Sequence, residues 1–184
     1  MKKIPPCPAC KPNSRVRHIP LGHGLFATVD AADYKWLSKH KWSAVNMYGH
    51  IYAIRHGKRG RTVYMHREIT HAPKGSVVDH ADHNTLNNRQ CNVRVCTNAQ
   101  NAANAGPRGG ASGYVGVQKN KDKWVAVITS RGKDYYLGRF DDPVEAAKVR
   151  DRKAYELHGP FAYLNFPEDF PQRRRRKRSS KRKN

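Results

Sequence analysis

The sequence predicts an α+β chain in two unequal halves. Three observations carry that prediction. Short runs that alternate apolar and polar residues recur along the chain, separated by Gly, Asn and Pro. The stretch "AGPRGGAS" at 105–112 has the composition of a linker. Beyond it, three strand-like runs precede one helix with complete start and stop signals.

In chain order, residues 1–14 form a Cys/Pro-rich start without an apolar core of the kind a secretory signal needs. "HGLFATVD" reads as a strand and "AADYKWLSKHKW" as a short helix. "HIYAIRH" and "RTVYMH" are strands joined by the turn-forming "GKRG". "MHREITHAP" reads as a short helix ended by Pro73, "SVVDH" and "NVRVCT" as brief strands, and "NAQNAAN" as one or two helical turns. The aromatics Tyr34, Trp36, Trp42, Tyr48, Tyr52 and Tyr64 read as a small core, and Arg55, Lys58, Arg59 and Arg61 as a basic cluster on the hairpin. After the linker, "GYVGVQ", "KWVAVITS" and "DYYLGRF" form a meander. Asp142 caps the following helix, with Pro143 in its first turn and Glu145 completing a capping box. Gly159 and Pro160 stop it. Ala146, Ala147, Ala154 and Leu157 give it a narrow small-residue face for close approach to a sheet.

The 184 residues carry a formal net charge of +22. Nine of those charges lie in the run Arg173–Arg176, Lys177, Arg178, Lys181, Arg182 and Lys183, and setting them aside leaves +13 on residues 1–172. The folded part is therefore basic in its own right, which points to a polyanion partner. The terminal run is too charged to fold and adds non-specific affinity. No apolar stretch approaches the roughly 20 residues that span a bilayer, so a soluble, cytoplasmic protein is expected. The four cysteines, Cys7, Cys10, Cys91 and Cys96, are expected to be free thiols; the second pair's spacing disfavours structural zinc.

The segment "VVDHADHNTLNNRQCNVRVCTNAQNAAN", 77–104, packs two Asp-His pairs against a field of asparagines. Phosphodiester hydrolysis asks for that mixture. An imidazole that is neutral near pH 7 can take a proton from water. Carboxylate and amide oxygens suit a hard cation, and amides add no charge to repel phosphate.

On "MHREI" and "PKGSVVDHADHNTLNNRQCNVRVCTNAQN", residues 63–104 resemble the HNH endonuclease motif in its phage- and intron-encoded homing form. The spacing is Asp-His, eleven residues, Asn, eight residues, Asn. The resemblance implies a ββα-metal fold. In it Asp79 and Asn101 would be metal ligands and His80 the general base, with Asn92 orienting the His80 loop. The third motif letter is Asn rather than His, which favours Mg²⁺ or Mn²⁺ over zinc. Asn104, at the next turn, is the alternative to Asn101. His66 and His83 are candidates for supporting roles, and Asn84, Asn87 and Asn88 for building the loop.

Residues 112–166 are similar to the DNA-binding domain of plant ethylene-response factors (APETALA-type), on "SGYVGVQ", "KWVAVI" and "YYLGRFDDPVEAAKVRDRKAYELHGPFAYLNF". That resemblance implies a three-stranded sheet in the major groove of double-stranded DNA with the helix behind it. Strand alternation turns Trp124, Ala126 and Ile128 toward the helix and Val125, Val127 and Thr129 outward, with Gln118, Asn120 and Tyr136. Gln118 or Asn120 suits an adenine, Val127 or Thr129 a thymine methyl. Lys119, Lys121, Lys123, Arg131, Lys133 and Arg139 suit phosphates. The plant domains' arginines and tryptophans are mostly missing here, so their target sequence does not carry over.

The expected organisation is therefore residues 1–14, a nuclease domain over 15–104 with a β-rich extension at its start, the linker 105–112, a DNA-binding domain over 113–167 and a basic tail over 168–184. The expected function is metal-dependent cleavage of double-stranded DNA in a bacterial host cell, by a site-specific nicking or homing enzyme of phage origin. The alternatives are a DNA-binding regulator that retains a decayed nuclease fold, and an RNA-binding protein.

Overall fold

The computed structural model describes residues 15–107 and 109–171. Cys7, Cys10 and the terminal basic run lie outside the described residues. The chain is a mixture of small antiparallel sheets and a few helices.

The first half begins with a hairpin of β1 (Val16–Gly22) and β2 (Leu25–Asp30), followed by α1 (Ala31–Leu37). A three-stranded sheet follows from β3 (Ser43–Met47), β4 (His50–His56) and β5 (Thr62–Tyr64). Strands β1 and β3 are additions to the sequence reading. α2 (Met65–Thr70) ends one residue later in left-handed His71 (φ 49°), ahead of the expected stop at Pro73. Next come β6 (Val77–His80) and β7 (Val93–Cys96), paired Asp79 to Arg94 and His80 to Val93, and then α3 (Asn98–Ala103). Thr97 and Gln100 form a reciprocal capping box at the start of α3.

The core of this half joins Ile19, Leu21, Ala27, Val29, Leu37, Trp42, Ala53, Met65, Ile69 and Val93. It thus recruits β1, β2, α1 and α2 behind the β6–β7 hairpin. Of the aromatics expected inside, Trp42 is buried and donates its indole N–H to the Leu37 carbonyl, whereas Tyr48 is 97% exposed. Tyr48 sits in the β3–β4 turn with φ 53° beside Gly49, which leaves its ring outside the core. Arg55 is ion-paired to Glu68 and covers Trp42, while Lys58, Arg59 and Arg61 are exposed.

The second half is the sheet of β8 (Val117–Asn120), β9 (Lys123–Ser130) and β10 (Lys133–Phe140), backed by α4 (Pro143–His158). Asp142 caps α4 by accepting from the Val144 amide, and Gly159 closes it with φ 53°. Val117, Ala126, Ala146 and Ala147 make a second, separate core. α4 also buries Arg150 and Asp151. Asp151 accepts from Arg150, the Asn165 amide side chain and the Phe166 backbone. Burial raises its pKa, and these partners pull it back.

Gly116 cannot be replaced cheaply. Its φ is +73°, and a Cβ there would lie 2.5 Å from the Val127 carbonyl oxygen and 2.9 Å from Arg150 Cγ. Gly116→Ala should cost about 2–5 kcal/mol, combining left-handed strain with a backbone clash. Urea unfolding followed at Trp124 would measure it; a loss below about 0.5 kcal/mol, the usual surface-substitution range, would contradict the packing. No helix among the described residues is long and apolar enough to cross a membrane.

Candidate active site

The ends of β6 and β7, the loop between them and α3 bring the acid, the imidazoles and the amides of the motif together. Asp79 is buried at 6% exposure. Its Oδ2 accepts from Arg94 Nε at 2.7 Å and lies 2.6 Å from Nη2, the cross-strand partner that the hairpin register supplies. Both Asp79 oxygens also accept from the Asn104 side-chain amide, at 3.0 and 3.1 Å, and the same amide reaches the His80 carbonyl. The asparagine in contact with the acid is therefore Asn104, the cap residue of α3. Asn101, on the preceding turn of the same face, is exposed.

His80 points the other way, as an adjacent strand residue must. It is 5% exposed, and its ring meets His66 edge-on with centroids 5.2 Å apart. Tyr52 lies 6.3 Å from it. Nε2 is buried without a hydrogen-bond partner among the described residues. Burial lowers the His80 pKa, against a smaller upward pull from Asp82, Asp79 and Asn88, so the ring is neutral at pH 7.

The His66 pKa is lowered to about 3, by burial and then by the neighbouring His80 and Arg67. A histidine with a depressed native pKa stabilises the fold above its unfolded value near 6.5, and that contribution is lost as pH falls toward 3. Stability should therefore drop on acidification by up to about 1.4 kcal/mol per pH unit for each such ring. His66→Gln should remove one proton from the slope between pH 6.5 and 4. Denaturant unfolding across that range checks it, and an unchanged slope would mean that His66 is already charged.

The asparagines mostly build the loop. Asn92 is fully buried and clamps both sides of it: its Oδ1 accepts from the Asp82 amide and its Nδ2 donates to the Asn87 carbonyl. Asp82 accepts from the Asn84 backbone and the Asn87 side chain, and Asn84 in turn accepts from the Leu86 amide. Asn88 is buried next to His80.

The loop is also fastened to the first half's earlier strands. Thr28 donates its amide to the Leu86 carbonyl and accepts from the Asn88 amide, both at 2.8 Å. The Thr85 hydroxyl donates to the Ile51 carbonyl. Asp30 leaves the N-terminus of α1 uncapped and takes Arg89 and the Gln90 amide instead. These partners, together with Arg94 and the Tyr52 ring, are the site residues that sequence reasoning missed. Arg94 had a findable signal, since strand pairing sets it opposite Asp79.

His83 is exposed, has φ 62° and packs its ring at a tilt against Tyr163, with centroids 5.6 Å apart. Partial covering of the His83 ring lowers its pKa, with Asp79 and Asp82 pulling upward. Cys96 is a buried free thiol, while Cys91 is disulfide-bonded, which corrects the expectation of free thiols throughout. Among the described residues no three His, Cys, Asp or Glu side chains converge to hold a metal. The oxygen donors at Asp79 are its carboxylate and the neighbouring Asn104 amide, a set that fits a hard cation keeping several waters and not zinc.

On the second half, Gln118, Asn120, Thr129 and Tyr136 are exposed on the outer face of the sheet, and Lys121 and Arg131 lie at its turns. Two details differ from the simple alternation. Val125 is only 8% exposed although it faces outward between Gln118 and Arg139. Thr129 donates its hydroxyl to Asp134, so its methyl is the free part. Val127 is half-buried opposite Tyr136, and Lys123 is ion-paired to Asp141.

A family model described as HNH endonuclease matches residues 71–103. An uncharacterized HNH endonuclease of Acanthamoeba polyphaga mimivirus is 30% identical over 147 residues, which span 78% of this chain and 76% of that protein. Protein 3.8 of Escherichia phage T7 is 34% identical over 93 residues, 49% of this chain and 76% of its own length. Dehydration-responsive element-binding protein 2D of Arabidopsis thaliana is 46% identical over 66 residues, 34% of this chain and 32% of its own. The chain thus spans about a third of that last relative. No solved structure matches.

Proposed function

Because the chain belongs to the HNH endonuclease family, we propose that it cuts double-stranded DNA with the Asp79–His80 centre and finds its substrate through the basic sheet of the second half. The observation that carries this reading is a buried carboxylate and a neutral, buried imidazole at successive positions at the end of β6, with the Asn104 amide against the acid. The likeness of the second half to a plant element-binding protein supports the targeting role.

Asp79 and an α3 asparagine would hold a Mg²⁺ or Mn²⁺ ion, in a ββα-metal arrangement. Such an ion, when bound, neutralises charge on the phosphate and the leaving 3′ oxygen. His80 accepts a proton from water; burial keeps its ring neutral and so able to act as the base. Asn92 holds the loop that carries Ala81 and Asp82, and so fixes where the imidazole sits. His66 supports the back of the His80 ring. The outer residues of the sheet then serve as base and phosphate contacts: Gln118, Asn120, Val127, Thr129 and Tyr136 for reading, Lys121, Lys123 and Arg131 for positioning. One such centre per chain fits nicking of one strand, in keeping with a phage-type homing enzyme.

Nicking of supercoiled plasmid with Mg²⁺, and with EDTA as control, tests the reading. Metal-dependent nicking is the expected result; binding with no cleavage in any divalent ion would leave the DNA-binding regulator. Asn101→Ala and Asn104→Ala in the same assay decide which amide serves the ion, the larger loss marking the ligand.

A further inference from the structure

The two halves meet at the acid. Arg94, which grips Asp79, uses its remaining nitrogen Nη1 to donate to the Pro160 carbonyl, and its guanidinium lies 4.6 Å from the centre of the Phe161 ring. Pro160 and Phe161 follow α4 in a single 3-10 turn of the second half. Two residues on, the Tyr163 amide donates to the Ala103 carbonyl at 2.9 Å, one residue before Asn104, and the Tyr163 ring packs at a tilt against His83. The Tyr163 carbonyl accepts from Arg150 of α4 at 2.5 Å. A continuous set of polar contacts thus runs from the helix behind the sheet to both sides of the acid–amide pair.

We propose that residues 160–163 dock the second half rigidly on the catalytic hairpin, and that Arg94 is the positioning residue through which this dock holds the Asp79 carboxylate. The inference rests on the nuclease reading above for its catalytic part and on geometry alone for the dock. An arginine fork presents five fixed donors. Here the carboxylate takes one edge, and a carbonyl and an aromatic face from the other half immobilise the rest. Without Phe161 and Pro160 the guanidinium is free to rotate, and the carboxylate loses its fixed aim. The dock also sets the sheet at one distance from the cutting centre. The linker 105–112 closes the chain but does not set that distance.

Three full-length variants test this: Phe161→Ala, Phe161→Tyr, and a short Gly/Ser insertion between Gly109 and Gly110. Nitrogen-15 relaxation reads the dock without any activity. Amides of 16–104 and 114–166 should share one rotational correlation time in the wild type, in Phe161→Tyr and in the insertion variant. Phe161→Ala should split them into two faster times while the β8–β10 amide shifts stay in place. In Mg²⁺-dependent plasmid nicking, Phe161→Ala should lose about 10- to 100-fold, recovered in part at higher Mg²⁺, and Phe161→Tyr should restore it. Separate correlation times in the wild type or a split caused by the insertion would overturn the dock. Unchanged nicking in an undocked Phe161→Ala protein would overturn the positioning role. A wild type that shares one time yet never nicks would sink the nuclease reading and the catalytic part together, leaving the dock standing.

Discussion

His80→Ala lowers plasmid nicking by about 10²- to 10⁴-fold while duplex affinity, measured in EDTA, stays nearly unchanged. The size is that of losing one positioned general base. The selectivity follows from burial: a side chain 5% exposed beneath the loop makes little contact with a docked duplex. The wild-type pH profile carries the same signature. Burial lowers the His80 pKa, so the base stays unprotonated to lower pH than an ordinary histidine. The acid limb of kcat/KM should therefore fall below the usual value near 6.5. An acid limb above 6.5, or equal losses of cutting and binding in the alanine variant, would remove His80 from this role.

Asp79→Asn has two separable consequences. Cleavage should fall by about 10³-fold, since a lost charged ligand is worth several kcal/mol of transition-state stabilisation. Stability should fall as well, even in EDTA, because Arg94 is left as a buried cation without its anion. Breaking such a pair from one side costs about 3–5 kcal/mol. The double variant Asp79→Asn, Arg94→Met removes the stranded charge and should recover much of the stability but none of the cleavage. Urea unfolding and nicking, run on both variants, separate the two effects. Recovery of cleavage in the double variant would show that the carboxylate serves only to neutralise Arg94.

Much of this is legible in the chain and some is not, for identifiable reasons. The α4 helix announces itself through Asp142, Pro143 and Gly159 because capping and left-handed closure are local demands. The β6–β7 hairpin with α3 is legible because "SVVDH" and "NVRVCT" are brief strand-like runs and "NAQNAAN" suits one or two helical turns. Strand β1 hides behind Pro20, a residue that demotes strand propensity, although Pro20 pairs with Phe26 in the hairpin. β3 is short and leads into a Tyr48–Gly49 turn rather than a familiar Asn-Gly one. The choice between Asn101 and Asn104 turns on the depth at which α3 meets β6, which spacing along a helix does not encode. The contact of Arg94 with Pro160 spans 66 positions and two halves with separate cores, and no local pattern announces it.

The bridge between Thr28 and Asn87, with its flanking bonds to Leu86 and Asn88, bears on how small the working unit can be. A fragment trimmed to the family-matched stretch, 71–103, would forfeit Thr28, Asp30, Asp33 and Ile51, the backbone and carboxylate groups that fasten the asparagine loop. Its loop would have to find water in their place, and the imidazole would drift with it. The shortest excision able to keep its shape therefore opens upstream of β1, so the apparent motif is only the visible part of an indivisible unit.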